Sequence, residues 1–278
     1  MKFKRSERLI DMTHYMLDRP HQLVPLTFFS ERYGSAKSSI SEDLTIIKET
    51  FEGRGVGTVQ TVPGAAGGVK YIPKVNTEEA KAIVSELCEH MESSDRLLPG
   101  GYLFMTDLLG NPQLMKKVGK MLASAFAEKE IDVIMTVATK GIPIANAIAS
   151  FLNVPVVIVR RDSRVTEGST VSINYVSGSS KRIQSMVLSK RSLKEGSKVL
   201  VVDDFMKAGG TVNGMKNLLE EFSATLSGIG VLVESDTLDE RLVDDYVSIL
   251  KLSEVNERDK QISLTEGNYF QSGVTFLP

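Results

Sequence analysis

The stretch Val199-Leu200-Val201-Val202-Asp203-Asp204-Phe205-Met206-Lys207-Ala208-Gly209-Gly210-Thr211 decides the fold. Its four leading apolar residues read as a strand buried on both faces. Two carboxylates follow at the carboxyl end, where open α/β sheets bind ligands. The two glycines let backbone N–H groups approach an anion closely, and a helix opening near Thr211 adds positive potential at its N-terminus. Thr211 supplies a hydroxyl donor. The loop can therefore grip a phosphate while the acids accept hydrogen bonds from sugar hydroxyls. A ribose 5-phosphate meets both demands.

The surrounding chain alternates strand and helix. Helix 77–91 leads in, with Asn76 as its cap. Helix 112–129 precedes strand 131–137, and helix 142–152 precedes strand 154–160. A hairpin pairs 170–176 with 182–188 across Ser177-Gly178-Ser179-Ser180. Strand 198–203, helix 211–222, strand 228–234, helix 239–246 and strand 247–252 complete the pattern. Continuous apolar strands between helices predict an α/β fold with a mostly parallel sheet covered on both faces.

Residues 1–74 read differently. A helix capped by Ser6 and ended by Pro20, a short helix over 25–33 stopped by Gly34, and a third over 38–51 precede two strands, 57–62 and 69–72. The strands flank Pro63-Gly64-Ala65-Ala66-Gly67-Gly68. Three helices and a hairpin is the order of a winged helix-turn-helix, whose third helix enters the DNA major groove. Lys37, Ser38 and Ser39 open that helix. Lys2, Lys4, Arg5 and Arg8 can reach phosphates from the amino terminus, and Arg54 and Lys70 flank the wing. Residues 1–74 carry eleven Lys/Arg against eight Asp/Glu, and residues 75–278 carry twenty-two against twenty-seven. A basic first quarter on an acidic remainder fits parts with different partners. A small helical dimerisation or lid domain with solvated charges explains the same pattern. The expected domains are 1–74 and 75–278.

The loop 203–211 resembles the phosphoribosyl pyrophosphate (PRPP) loop of type I phosphoribosyltransferases. The resemblance implies that Asp203 and Asp204 hold the ribose hydroxyls. It assigns the 5-phosphate to Lys207, Ala208, Gly209, Gly210 and Thr211, with Phe205 and Met206 in the same binding stretch. Thr136-Val137-Ala138-Thr139-Lys140-Gly141-Ile142-Pro143 resembles that family's pyrophosphate loop, with Thr139, Lys140 and Gly141 as the contacts. The hairpin region 160–191, with seven basic and two acidic residues, stands where the family has its flexible loop. Two positions depart from the pattern. Lys207 replaces a small or acidic residue and is a donor at neutral pH rather than a general base. Ala208 replaces a hydroxyl donor. The loop should bind PRPP, and the two departures argue against transfer chemistry.

Both parts together resemble the phosphoribosyltransferase-like purine operon repressor family. The similarity runs nearly end to end, through Pro25–Tyr33, Ser35–Leu44, Val62–Pro73 and Asp203–Thr211. It implies a cytoplasmic homodimer that binds double-stranded DNA at purine gene control regions and is released by PRPP, without catalytic residues and without a required cofactor. Mg²⁺ would travel with PRPP. A purine nucleotide or guanosine polyphosphate, its base on Tyr102 or Phe205, is the candidate competitor for the pocket; both aromatics read equally well as core residues beside glycine turns. The alternative is an active purine phosphoribosyltransferase with an added regulatory domain. A third reading makes the second domain a dimerisation scaffold only.

Other classes are excluded by composition. The chain has 278 residues, 42% hydrophobic and 24% charged, ordinary for a globular protein. Its longest strong apolar run, residues 154–159, is far short of the roughly 18 residues of a membrane span. One cysteine, Cys88, forbids an intramolecular disulfide, and three scattered histidines offer no metal site. The basic start lacks an apolar stretch of signal-peptide length.

Overall fold

The computed structural model describes residues 3–64, 66–98, 102–163, 165–176, 182–236, 241–256 and 261–277, without the side chains of Tyr102 and Glu254. Helices α1 (Arg5–Leu17), α2 (Leu26–Tyr33) and α3 (Lys37–Gly53) and strands β1 (Gly57–Val62) and β2 (Gly68–Pro73) come first. The β1–β2 hairpin is antiparallel and in register along its whole length. Helix α1 starts after Lys4, not at Ser6: the Lys4 N–H donates to the Glu7 carboxylate at 2.7 Å, which satisfies the chain entry without a hydroxyl cap. Gly34, at φ 59°, closes α2 in the left-handed conformation that favours glycine. Met12, Met16, Phe29, Ile40, Leu44, Ile47, Phe51 and Tyr71 form a core of their own for this unit.

The remainder carries α4 (Thr77–Met91), the short pair β3 (Leu97–Leu98) and β4 (Tyr102–Leu103), α5 (Thr106–Leu109) and α6 (Pro112–Ala125). Then come β5 (Val133–Val137), α7 (Gly141–Leu152), β6 (Val156–Val159) and the hairpin β7 (Thr170–Val176) with β8 (Ile183–Ser189). β9 (Lys198–Met206), α8 (Gly210–Glu220), β10 (Thr225–Ser235), β11 (Val247–Asn256) and β12 (Gln261–Glu266) finish the chain. Asn76 caps α4, its side-chain oxygen accepting from the Glu79 N–H at 2.7 Å.

Six strands form one sheet in the order β12-β11-β10-β9-β5-β6. All neighbours are parallel except the edge strand β12. One face packs on α4, α6 and α7, the other on α8 and the β7–β8 hairpin. This is the α/β architecture expected, with two local corrections. Residues 241–246 are not helical, although 239–246 reads as a helix; residues 237–240 lie outside the described ones. The 241–246 backbone is drawn off by tertiary bonds instead: the Leu242 N–H donates to the Ala208 carbonyl at 3.0 Å. β12, which the alternation pattern left unread, pairs antiparallel with β11.

The two units meet along α6. The half-buried Lys120 ammonium donates to the Gly55 carbonyl at 2.5 Å and to the Glu79 carboxylate at 2.8 Å. Lys74 pairs with Glu128 at 2.8 Å.

Candidate functional site

Parallel strands carry their carboxyl ends to one edge of the sheet, so β9, β5 and β6 deliver their following residues to a common place. β9 is longer than its apolar run suggests. Asp203 and Asp204 lie within it, with Asp203 level with Val231 of β10. Asp203 is 6% exposed, and one of its carboxylate oxygens accepts from the Asp204 N–H at 3.0 Å. Burial and the neighbouring Asp204 charge push the Asp203 carboxyl well above the usual carboxylate range, and burial also raises Asp204. Two cations oppose these shifts: Arg161 lowers Asp203 and Lys140 lowers Asp204. Lys140 from β5 and the acids from β9 thus share one site, and Arg161 from the end of β6 joins them. Arg161 has no motif around it in sequence; only the order of the sheet brings it to the acids.

The loop after β9 turns sharply. Gly209 has φ 83° and precedes the first residue of α8. A Cβ at Gly209 would stand 2.8 Å from a Val243 methyl, so both the backbone angle and the close neighbour require glycine. Gly210 opens α8, and Thr211 is its half-buried second residue. Ala208 is buried and Lys207 is exposed. Phe205 is half-buried against the core on the α4–α6–α7 face, and Met206 is in the core on the other face. On the β5 side, Thr139 and Lys140 are exposed and Gly141 begins α7. Two helix N-termini, α7 and α8, therefore face the edge where the acids sit, the arrangement that binds a polyanion. The hydroxyl oxygen of the fully buried Thr136, at the end of β5, has no hydrogen-bond partner. Among the described residues Lys140 and Lys207 form no ion pair, and no three His, Cys, Asp or Glu gather as a metal-binding group. The Tyr102 side chain lies outside the described residues.

In the first unit Lys37 and Ser38 are exposed and Ser39 is half-buried at the start of α3. Lys4 and Arg54 are exposed and Lys70 is half-buried. Lys2 lies outside the described residues. Arg5 and Arg8 are engaged elsewhere: both reach the fully buried Asp43, Arg5 Nε at 2.9 Å and Arg8 Nη2 at 2.7 Å. Arg8, with 13% of its side chain exposed, pins α1 onto α3. Asp43 is thereby neutralised beneath the third helix rather than opposed to an approaching phosphate.

His21, just before the bridge of Val24 to the wing, is half-buried. Its N–H donates to the Tyr71 carbonyl at 2.8 Å, and its Nε2 is buried without a partner. Burial and the charge of Lys70 push its pKa down to about 4.

Residues 4–73 match the family described as bacterial purine repressor, N-terminal, and residues 105–266 match the phosphoribosyl transferase domain. The purine biosynthesis transcriptional repressor PurR of Bacillus subtilis (strain 168) is 66% identical over 98% of this chain and 95% of its own length. The purine biosynthesis transcriptional activator PurR of Lactococcus lactis subsp. lactis (strain IL1403) is 49% identical over 96% of this chain and 98% of its own. Among solved structures, an adenine phosphoribosyltransferase from Thermoanaerobacter pseudethanolicus superposes with a TM-score of 0.53 at 24% identity, over 60% of this chain and 98% of that one. That likeness shows the fold of the second unit.

Proposed function

The chain belongs to the bacterial purine repressor family, and from that membership we propose a DNA-binding repressor of purine biosynthesis genes that is released by PRPP. The observation that carries the effector half is the meeting of Asp203, Asp204 and Lys140 between the N-termini of α7 and α8. The ribose hydroxyls would donate to the acid pair, and the 5-phosphate would take the N–H groups of residues 207–211. Thr139, Lys140 and Gly141 would receive the pyrophosphate. Mg²⁺ would enter with PRPP, because the pyrophosphate and ribose oxygens supply most of its ligands. A purine nucleotide or guanosine polyphosphate, its base on Tyr102 or Phe205, would compete for the same place.

The DNA half rests on exposed Lys37 and Ser38 and half-buried Ser39 at the start of α3, with Lys4, Arg54 and Lys70 around it. Lys37 makes no ion pair among the described residues, so its charge is available to a phosphate. Two copies of the chain would bind one control region. Such a regulator works in the cytoplasm, where the DNA is; among the described residues no helix is long and apolar enough to cross a membrane. Release is a coupling free energy of about 1–3 kcal/mol, and DNA must weaken PRPP binding by the same factor. The sign of regulation follows the repressor at 66% identity rather than the activator at 49%.

A gel shift on a purine-gene control region at fixed salt, titrated with PRPP and Mg²⁺, tests both halves. Wild type should leave the DNA and Asp203→Ala should stay. DNA binding indifferent to PRPP would sink the effector reading. The phosphoribosyltransferase fold favours a second reading, an active transferase. Lys207 in the anion loop opposes it, standing where the transferase pattern has a small or acidic residue. Pyrophosphate release with a purine base would establish that second reading.

A further inference from the structure

Behind the anion loop lies a group of residues that neither the sugar acids nor the helix N-termini use. Glu234, near the end of β10, is 5% exposed and lies level with Met206 of β9. Both of its carboxylate oxygens are occupied. Arg241 Nη2 donates to Oε2 at 2.6 Å, the Tyr246 hydroxyl donates to Oε2 at 2.7 Å, and the Ser248 hydroxyl donates to Oε1 at 2.7 Å. Arg241 has further partners of its own. It donates to the Ser235 carbonyl at 3.0 Å and to the Tyr246 hydroxyl, and its guanidinium stands over the Tyr246 ring, 5.3 Å from the centroid. Asn268 locks the frame by accepting from the Ser248 N–H and donating to the Tyr246 carbonyl, each at 2.8 Å.

Burying this ion pair costs desolvation, and an apolar pair would do as well for stability alone. What it fixes is the segment Arg241–Tyr246, and that segment lies on the anion loop. The next residue, Leu242, donates its N–H to the Ala208 carbonyl at 3.0 Å. The one after, Val243, is 6% exposed and stands where a Gly209 side chain would be. With the Ala208 carbonyl held by Leu242, the loop is kept in the turn that sends the N–H groups of 209–211 towards the sheet edge.

We propose that Arg241, clamped by Glu234, is a positioning residue for the anion loop: it presses Leu242 and Val243 against Ala208 and Gly209 and so sets the affinity for a sugar 5-phosphate. This deepens the PRPP reading and rests on it. The pyrophosphate loop at 139–141 hangs on β5 and α7, away from this frame, so the two phosphate ends of the ligand should respond differently.

The test is calorimetric binding of ribose 5-phosphate and of Mg²⁺-pyrophosphate, separately, to the full chain. Arg241→Gln should weaken ribose 5-phosphate about tenfold or more, since small misplacements of binding groups are costly. It should leave pyrophosphate and DNA affinity at their wild-type values. Arg241→Lys, which keeps the charge, should recover part of the loss. Val243→Ala leaves the ion pair whole and should show the same selective loss; it stands in if Arg241→Gln does not fold. Equal loss of both probes, or unchanged ribose 5-phosphate binding in Val243→Ala and Arg241→Gln, overturns the proposal. Failure of the wild type to bind ribose 5-phosphate overturns the PRPP reading itself, and this inference with it.

Discussion

Gly119 on α6 and Ala147 on α7 touch backbone to backbone: a Cβ at Gly119 would stand 2.6 Å from the Ala147 Cβ and 2.9 Å from its carbonyl oxygen. Glycine in a helix interior is ordinarily unfavourable by about 1 kcal/mol relative to alanine, so its presence here reflects the helix–helix approach. α7 starts at Gly141, in the candidate pyrophosphate loop, and the residue after Gly119 is Lys120, which holds Gly55 of the DNA-binding unit. Gly119→Ala should lower stability by about 1–3 kcal/mol, as overpacking does, despite its better helix propensity. Thermal unfolding checks the sign, which propensity alone would predict to be opposite.

Lys120 bridges the two units through the Gly55 carbonyl and the Glu79 carboxylate. Lys120→Met keeps the stem and removes the charge. PRPP binding to this variant should be unchanged, while its ability to release DNA should fall severalfold. Parallel measurement of PRPP affinity with and without operator DNA gives the coupling directly. Wild-type coupling in the variant would place the communication elsewhere.

The buried acid pair should cost stability. The folded-state pKa of Asp203 is raised above its unfolded value, so the fold favours the protonated form, and the associated stability is lost as pH rises through the folded pKa. Asp203→Asn should therefore raise the melting temperature at neutral pH, by about 2–4 °C for each kcal/mol recovered. The gain should shrink as the pH is lowered towards 4. The same variant should not bind PRPP. In the wild type, PRPP with Mg²⁺ should bind more tightly as pH rises, because the proposed ribose contacts need ionised acids to accept them.

Much of this site was legible in sequence because its signals are local. The apolar run, the acid pair and the two glycines are contiguous, and Asn76 marks the start of α4 through its own side chain. The residues that escaped are placed by the sheet. The Arg161 charge acts on Asp203 only because β6 lies two strands from β9. Residues 241–246 carry helix-like composition, yet Glu234 and Ala208 claim Arg241 and Leu242. Arg8 read as a phosphate contact because nothing in sequence links it to Asp43, thirty-five residues away.

That ion pair separates two classes of arginine and lysine variants. Asp43→Ala leaves Arg8 nearly buried and unpaired, and it should cost about 3–5 kcal/mol of stability in the first unit. Lys37→Ala should leave the melting temperature unchanged. It should weaken DNA binding and reduce the slope of log affinity against log salt by about 0.9, one phosphate contact. Arg8→Ala should weaken DNA binding only in proportion to unfolding. A salt slope reduced by Arg8→Ala in a folded protein would return Arg8 to the DNA surface.

His21 makes the pH response of the first unit directional. Its pKa is depressed from 6.5 to about 4 by burial and by Lys70, so the unfolded chain binds the proton more tightly than the folded one. Stability is therefore full above pH 6.5 and is lost as pH falls towards 4. His21 also has φ 60° and ties the chain to the Tyr71 carbonyl at the base of the wing. His21→Asn tolerates that backbone angle and cannot be protonated. Between pH 7 and pH 4.5 the wild type should lose stability that the variant keeps, with the two chains diverging steadily below pH 6.5. Urea melts at several pH values read this difference. Parallel curves for the two proteins would show that His21 takes up its proton equally in the folded and unfolded chains, and that acid acts on this unit elsewhere.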